Sequence, residues 1–177
     1  YLNSINGPST VVVGFDGRHG SRRFARDAAT VLGTLGHTVF LHEATTPTPE
    51  LAYSVLQMNV DLGIMVTASH NPPSDNGYKV YWNNGAQIIP PHDTAIIDAM
   101  TGVDWHNVNV LSEDALRKDQ RILAVPEAVG ASYVERVLRL VSKDSRSLKI
   151  VYTPLHGVAY RRLEEVLRLA GFDEIHV

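Results

Sequence analysis

The sequence contains no cysteine among its 177 residues, so it has no disulfide framework and no thiolate zinc site. It also has no apolar run of bilayer length. Its opening residues, YLNSINGPST, lack the charged and apolar regions of a signal peptide. We therefore expect a soluble, cytoplasmic protein with no membrane partner.

Basic residues are not in excess either. The chain has 16 Lys and Arg against 19 Asp and Glu, with a net charge of -3 and a pI of about 6.2. Binding to nucleic acid requires a basic patch or stripe. We therefore expect no nucleic-acid partner.

What the sequence does contain is an alternation of strand and helix patterns. Short β-branched runs predict strands at residues 10–16, 37–42 and 61–68, and helical spacing predicts helices at 21–36 and 48–59. This order predicts an α/β fold, a layered domain with a mixed β-sheet flanked by helices.

The first predicted helix carries apolar residues at helical spacing, and we expect them to face the core. They are Phe24, Ala28, Val31, Leu32 and Leu35. Ser21 is expected to cap the N-terminus of this helix and Gly36 to end it.

The second half of the chain is less regular. A strand is predicted at residues 78–82 and helices at 92–102 and 126–142, whereas residues 103–125 are weakly patterned. The polar segment 143–147 follows.

We place a domain boundary in that polar segment. Residues 1–145 are predicted to form the first domain. In residues 146–177 the pattern is strand, helix, strand, the first βαβ part of a second similar domain. Two strands and a helix cannot supply a core of their own, so the second domain is expected to be incomplete.

The stretch TASHNPPSDNGYK follows a predicted buried strand. In an open α/β sheet, ligands bind beyond the carboxyl ends of the strands, so Thr67, Ser69, His70 and Asn71 are expected to face a cleft. The alternative is that Asn-Pro, Pro-Pro and Asn-Gly are turn residues whose polar neighbours only satisfy the backbone.

Ser69 is the candidate nucleophile of this stretch. Its neighbours, Ala68 and His70, do not match the Gly-x-Ser-x-Gly pattern of serine hydrolases, and adjacent residues on extended backbone point to opposite sides. We therefore do not expect His70 to act as a base on Ser69 in acyl transfer. A serine that carries a phosphoryl group fits an exposed loop better.

Lys79 is the candidate proton carrier. In the strand at 78–82 it shares one face with Tyr81, while Tyr78, Val80 and Trp82 share the other. If the face with Tyr78 is the core face, Lys79 points toward the loop of Ser69 and can act as a general acid or base. The alternative is an exposed lysine at a sheet edge.

The motifs TASHNP and NGYK resemble the phosphoserine loop of the α-D-phosphohexomutases, the superfamily of phosphoglucomutase and phosphomannomutase. The resemblance extends to VVVGFDGRHGSRRFA, TPTPEL and VYTPLHGVA. NGYKVYWNNGAQIIPPHD is most similar to the phosphopentomutase-like branch. The chain resembles an N-terminal fragment of such an enzyme.

The resemblance implies a fold, a reaction and residue roles. Ser69 would be the catalytic phosphoserine, which passes its phosphoryl group to a sugar monophosphate and takes one back from the bisphosphorylated intermediate. His70 and Asn71 would line the loop, Lys79 would be the general acid/base, and Arg18 would bind phosphate with Thr67. The alternative for Arg18 is a salt bridge with Asp16 or an exposed turn.

The resemblance also implies a Mg²⁺ cofactor. Ser69, through its phosphate, would be one metal ligand, and the aspartates that complete the site in the family have no counterpart in this sequence. We assign no histidine to a metal, since His37 and His42 flank a strand at odd spacing and face opposite sides. Ala159 departs from the glycine that is common in the family after VYTPLHGV.

The implied partners are a phosphorylated sugar and a sugar bisphosphate, with a monomeric full-length parent. Three alternatives to a mutase stay open: a sugar bisphosphate synthase, a non-catalytic sugar-phosphate-binding module and, as a distant third, a serine hydrolase. These 177 residues alone are expected to show no sustained turnover, because the sugar loop and the distal phosphate site of the family are absent from them.

Overall fold

The computed structural model describes residues 1–5, 7–104, 108–142 and 146–177. The helices are α1 (Leu2–Ile5), α2 (Ser21–Thr34), α3 (Thr48–Gln57), α4 (His92–Thr101), α5 (Glu113–Lys118), α6 (Glu127–Leu138) and α7 (Tyr160–Leu169). The strands are β1 (Thr10–Phe15), β2 (Thr38–Leu41), β3 (Leu62–Val66), β4 (Tyr78–Trp82), β5 (Ile122–Ala124), β6 (Ile150–Val151) and β7 (Ile175–His176). Within these ranges, no helix combines the length and apolarity needed to cross a bilayer.

The main sheet has five strands in the order β4-β3-β1-β2-β5. β1 pairs in parallel with β2 and with β3, β2 pairs in parallel with β5, and only β4 is antiparallel. The predicted mixed sheet flanked by helices is confirmed. Because β1 and β3 are parallel neighbours, the loops that follow them leave the same edge of the sheet side by side.

Both faces of the sheet are buried, as the side-chain alternation of β1 requires. Val11, Val13 and Phe15 pack on the face that α2 covers, together with Ala25 and Ala29 of that helix. Val12 packs on the other face, with Leu51 and Val55 of α3. A strand covered on both sides carries an uninterrupted apolar run, which explains the sequence TVVVGF.

The predicted core face of α2 was wrong in part, because Leu32 packs against the core but three of the five predicted residues do not. Phe24, Val31 and Leu35 are exposed, with 57% of Leu35 accessible to solvent. The buried residues of α2 are small and spaced four apart, namely Ser21, Ala25, Ala29 and Gly33. A stripe of small side chains lets the helix approach the sheet closely. The buried face of α2 is therefore determined by the small size of its side chains more than by the spacing of its large apolar residues.

The N-cap of α2 is also one residue earlier than predicted. Gly20 is the cap, with a left-handed φ of 77°, and Ser21 is the first helical residue. The Ser21 hydroxyl donates to Asp16 Oδ1 at 2.7 Å instead of capping the helix. Gly36, with φ 95°, follows the helix end as predicted.

The weakly patterned residues 103–125 contain α5 and β5, which were not predicted. Ser112 caps α5 by accepting a hydrogen bond from the Ala115 N–H, and acidic residues occupy the first turn. The helix covers only six residues and β5 only three, too few for a periodic signal.

The second βαβ unit is present as β6, α7 and β7, and its two strands pair in parallel. Residues 143–145, where we place the domain boundary, lie outside the described residues, so the boundary stays a prediction. The loop before α7 approaches the loop after β1, since a Cβ added at Gly17 would lie 3.4 Å from Val158 Cγ1.

A buried ion pair joins this unit to the main sheet. Arg162 of α7 donates from Nε to both carboxylate oxygens of Glu50 at 3.0 Å, and from Nη2 to Oε1 at 2.8 Å. The Glu50 side chain, on α3, is only 5% exposed. Gly130 of α6 provides the space, because a Cβ added there would lie almost on top of the guanidinium.

We expect Gly130→Ala to lower the free energy of unfolding by about 1–3 kcal/mol, because the new methyl group displaces Arg162 and leaves Glu50 buried without its partner. Chemical denaturation checks this. The control is Gly102→Ala, where the nearest non-adjacent atom among the described residues, the Ala99 carbonyl oxygen, is 3.9 Å from the added Cβ. Equal stability of the two variants would contradict the assigned role of the ion pair.

Candidate active site

A cleft of about 920 Å³ lies beyond the carboxyl ends of β1 and β3. Its walls include Ser69, His70 and Asn71 from the loop after β3. The loop before α7 forms the facing wall with His156 and Gly157. The structure therefore brings the predicted loop residues together at a cleft.

Asp16, which follows β1, connects the two loops. Its Oδ2 accepts a hydrogen bond from the Thr67 hydroxyl at 2.6 Å, and its Oδ1 accepts from Ser21 Oγ and from the backbone N–H of Arg18. The Thr67 hydroxyl oxygen in turn accepts from the Ser69 N–H at 2.9 Å. From the sequence, Asp16 was expected only as an alternative partner for Arg18. Its position at the end of a buried strand was the signal that could have identified it.

Arg18 extends from the first loop into the second. Its Nε lies 3.1 Å from Asp16 Oδ2, and its side chain is 10% exposed. That contact is an ion pair and not a well-directed hydrogen bond. The Nη atoms donate to four backbone carbonyls of the Ser69 loop at 2.5–3.4 Å. The structure thus contains the Asp16 salt bridge that was the alternative for Arg18, and a phosphate-binding role stays a prediction.

Ser69 is exposed and adopts a left-handed conformation, with φ 57°. Its Oγ lies 3.1 Å from His70 Nδ1. We expected extended backbone to separate these two side chains, and that expectation was wrong because the chain turns at Ser69. The hydroxyl therefore has a potential proton acceptor beside it.

The reversal between β3 and β4 extends over residues 67–77. Asn71 N–H donates to the Ala68 carbonyl, and the Thr67 N–H donates to the Gly77 carbonyl, both at about 3 Å. The left-handed residue of the loop is Ser69, not a member of the Asn76-Gly77 pair. Gly77 is needed for close approach, since a Cβ there would lie 3.3 Å from the Thr67 carbonyl oxygen.

Lys79 of β4 is half-buried and lies opposite Met65 of β3 in the strand register. Met65 lines the cleft, and residues directly opposite each other in an antiparallel pair share a face. No hydrogen bond or ion pair of Lys79 occurs in the part of the chain that the structure describes. Lys79 itself is not among the residues that line the cleft, so a place for its side chain at the site stays a prediction.

The expected division of β4 into an aromatic core face and a lysine face holds only in part, since Val80 and Trp82 pack against the core as expected. Tyr81, on the face of Lys79, is buried with Leu51 and Val55, whereas Tyr78 on the other face is 56% exposed. Helices cover both faces of the sheet, so neither face of β4 is reserved for polar residues.

The loop before α7 tolerates Ala159, the residue that departs from the family's glycine. Ala159 has φ -77° and ψ 0°, a conformation open to any L-residue. His156 and Gly157 therefore reach the cleft without a glycine at position 159.

Metal-binding geometry is incomplete among the described residues, which contain no group of three or more His, Asp or Glu side chains that could hold an ion. Asp16, a carboxylate in the cleft wall, already accepts from the hydroxyls of Thr67 and Ser21 and from the backbone N–H of Arg18. Ser69, once phosphorylated, would offer one ligand.

A second cavity of about 510 Å³ adjoins the cleft on the side of α7 and contains His42 and Arg162. Burial, reinforced by the positive charge of Arg162, lowers the pKa of His42 to about 4. His37, at the other end of β2, is buried and accepts a hydrogen bond from the Ser9 N–H at 3.1 Å.

The family model and the similar proteins that this chain matches all belong to one group of enzymes. Residues 1–107 match the family described as phosphoglucomutase/phosphomannomutase, alpha/beta/alpha domain I. The chain is 38% identical over 180 residues to the "Probable phosphomannomutase" of Haemophilus influenzae, covering 100% of this chain and 36% of that protein. It is 42% identical over 177 residues to the phosphopentomutase of Mus musculus, covering 92% of this chain and 28% of that protein.

The fold is similar to a crystal structure from Thermus thermophilus described as a phosphomannomutase. The TM-score is 0.79 at 25% identity, covering 96% of this chain and 37% of that chain. A phosphoglucomutase/phosphomannomutase family protein from Burkholderia thailandensis has a similar fold, with a TM-score of 0.70 at 24% identity over 99% of this chain and 36% of that chain. The chain spans about a third of the length of the relatives it matches.

We expect His42 to make stability depend on pH. The unfolded chain binds a proton at His42 near pH 6.5, whereas the folded chain does so only near pH 4, so stability is lost as the pH falls from 6.5 to 4. The loss is at most about 3.5 kcal/mol, at roughly 1.4 kcal/mol per pKa unit.

Chemical denaturation across this pH range checks the expectation by comparing the wild-type chain with His42→Gln, which should lose less stability as the pH falls. His176→Gln, at an exposed position, is the control and should follow the wild type. Equal pH dependence in His42→Gln and the wild type would rule out His42 as the cause.

Proposed function

Because this chain belongs to the phosphoglucomutase/phosphomannomutase family, we propose that it supplies the phosphoserine loop of a phosphosugar mutase. The observation that carries the proposal is the geometry of Ser69. Its hydroxyl is exposed in the cleft, and His70 Nδ1 lies 3.1 Å from it.

In the proposed reaction, Ser69 carries a phosphoryl group. A hydroxyl oxygen of a sugar monophosphate attacks the phosphorus, and the bond from phosphorus to Ser69 Oγ breaks. The sugar hydroxyl loses its proton and Ser69 Oγ gains one, which gives a bisphosphorylated sugar and free serine. The reverse transfer of the other phosphate restores the phosphoserine, so phosphate moves between C1 and C6, or between C1 and C5.

His70 and Lys79 are the proposed proton carriers. His70 is close enough to Ser69 Oγ to exchange a proton with it as the phosphoryl group leaves or returns. Lys79 would take the proton of the attacking sugar hydroxyl, which suits a side chain that has no ion pair among the described residues and lies opposite the cleft-lining Met65.

Thr67, Arg18 and Asn71 are proposed to shape the phosphate environment. Thr67 and Arg18 are both engaged with Asp16, so their contacts favour a structural contribution to the loop. Asn71 is exposed in the cleft wall, where its side-chain amide could donate to a phosphoryl oxygen.

A magnesium ion, proposed from the family, would neutralise charge on the transferring phosphoryl group. The described residues do not form such a site alone, and phosphorylated Ser69 would be their one ligand. The remaining ligands would come from parts of the complete protein other than these residues.

The substrate class follows from the relatives, which are named for phosphomannose and phosphopentose substrates. We propose a sugar monophosphate and a sugar bisphosphate as partners, in a cytoplasmic, monomeric parent protein. A sugar bisphosphate synthase would use the same serine but release the bisphosphorylated product. A module that only binds sugar phosphates would leave Ser69 unmodified.

Ser69 should be the phosphorylated residue of the complete protein. After incubation with glucose 1,6-bisphosphate and Mg²⁺, intact-mass and phosphopeptide measurements should find one phosphoryl group in the peptide that contains Ser69, and none in Ser69→Ala. Ser74→Ala, at an exposed position in the same loop, is the control and should be phosphorylated normally. Phosphate on another serine would refute the assignment.

Lys79→Ala in the complete protein should lower turnover by about 10²- to 10⁴-fold, the usual contribution of general acid–base catalysis. Losing a lysine that makes no hydrogen bond or ion pair within the described residues should change the free energy of unfolding by less than about 0.5 kcal/mol. Steady-state kinetics and thermal denaturation check both values, with Lys118→Ala on the exposed end of α5 as the control. Unchanged turnover would favour the alternative of an ordinary edge-strand lysine.

A further inference from the structure

The conformation of Ser69 is not one that its own sequence favours. A left-handed φ of 57° is unfavourable for a residue with a Cβ, and serine adopts it less readily than glycine or asparagine. The Ser69 N–H donates locally to the Thr67 hydroxyl oxygen, and one contact from elsewhere in the chain adds to this hydrogen bond.

That contact is made by Arg18. Its Nη1 donates to the carbonyls of Pro72 and Asp75, and its Nη2 donates to the carbonyls of Ser69 and Asn71. Four carbonyls that converge on one point leave the Ser69 loop little freedom to change its backbone angles. The carbonyl of Ser69 itself is one of the four, so rotation of Ser69 breaks the set.

Arg18 is in turn fixed before any ligand arrives. Its Nε pairs with Asp16, and Asp16 is held by the hydroxyls of Thr67 and Ser21. Both side chains of the ion pair are largely withdrawn from water, at 10% and 14% exposure. The loop geometry thus originates in Asp16, the residue that follows β1.

The guanidinium of Arg18 makes its contacts with groups of this chain and not with the open cleft. A guanidinium has five N–H groups: one on Nε and two on each Nη. The buried Nε lies against Asp16 in the ion pair, and the four loop carbonyls accept from the Nη atoms. The Nη atoms are thus engaged by the loop, and the Nε–H, which makes no well-directed hydrogen bond, is buried away from any ligand in the cleft.

We propose that Arg18 is a positioning residue for Ser69 and does not bind the substrate's phosphate. It keeps Ser69 in the left-handed turn that places Oγ beside His70 and in the cleft. The consequence for phosphoryl transfer rests on the proposed function, whereas the effect on the loop does not.

A lysine cannot take over this task. Arg18→Lys keeps the positive charge beside Asp16 but offers three donors on one atom in place of a planar group that reaches four carbonyls. This variant separates charge from geometry and should still fold, because the ion pair with Asp16 can form.

The first experiment measures hydrogen exchange by mass spectrometry in the complete protein, in peptides that cover residues 67–77. We expect Arg18→Lys to exchange faster there by at least about tenfold, with global stability preserved. Arg22→Ala, an exposed arginine on the first turn of α2 that donates to the Glu43 carbonyl, is the control and should match the wild type. The double variant Arg18→Lys, Ser69→Gly should regain part of the protection, because glycine adopts positive φ without strain.

The second experiment measures kcat and KM of Arg18→Lys with glucose 1-phosphate, glucose 1,6-bisphosphate and Mg²⁺. A positioning role predicts a fall in kcat of about 10²-fold, with KM within about threefold of the wild type. A rise in KM at unchanged kcat would overturn the proposal and make Arg18 a phosphate ligand.

The two measurements distinguish failure of this inference from failure of the proposed function. Unchanged exchange in residues 67–77 of Arg18→Lys overturns the positioning role whatever the enzyme does. Absence of Ser69 phosphorylation in the wild type, together with faster exchange in the variant, refutes the mutase proposal and leaves the role of Arg18 in the loop intact.

Discussion

The carboxylate of Asp16 joins the loop after β1 to the loop after β3, and the cleft depends on this junction. Parallel pairing of β1 and β3 brings the two strand ends together, but pairing alone does not fix the loops beyond them. Asp16 does so by accepting from Thr67 and by orienting Arg18, whose guanidinium then fixes four carbonyls of the Ser69 loop. The left-handed turn of the exposed Ser69, and the position of His70 beside its hydroxyl, therefore depend on the largely buried Asp16 carboxylate.

Much of the fold could be predicted from the sequence because its strands are either fully buried or sharply bounded. The run TVVVGF could only be a central strand, and YKVYW coincides with β4. The buried face of α2 could not be predicted in the same way, since helix–sheet distance favours small residues at the contact and leaves Phe24 and Leu35 outside. Elements as short as α5 and β5 are stabilised by their neighbours rather than by their own pattern.

For the candidate site, the sequence indicated which residues matter but not how they are arranged. Ser69, His70, Asn71 and Thr67 could be placed at a cleft because they follow a buried strand. The relation between Ser69 and His70 depends on one positive φ, and that angle results from contacts made by Arg18, which is far away along the chain. A backbone conformation that depends on a side chain distant in sequence cannot be predicted from the residues next to it. The Ser69–His70 contact could therefore not be predicted from the loop sequence.

The ion pair between Glu50 and Arg162 has a consequence for how related sequences can vary. Glu50 lies on α3, Arg162 on α7, and Gly130 on α6 packs against the pair. The guanidinium occupies the volume that any side chain at position 130 would need. A shorter residue at 162 would free position 130 to become larger, but it would also leave a carboxylate at 50 with no counter-charge. We therefore expect homologous sequences to co-vary at positions 50, 130 and 162, with Glu-Gly-Arg as one combination and a neutral residue at 50 accompanying any loss of the arginine.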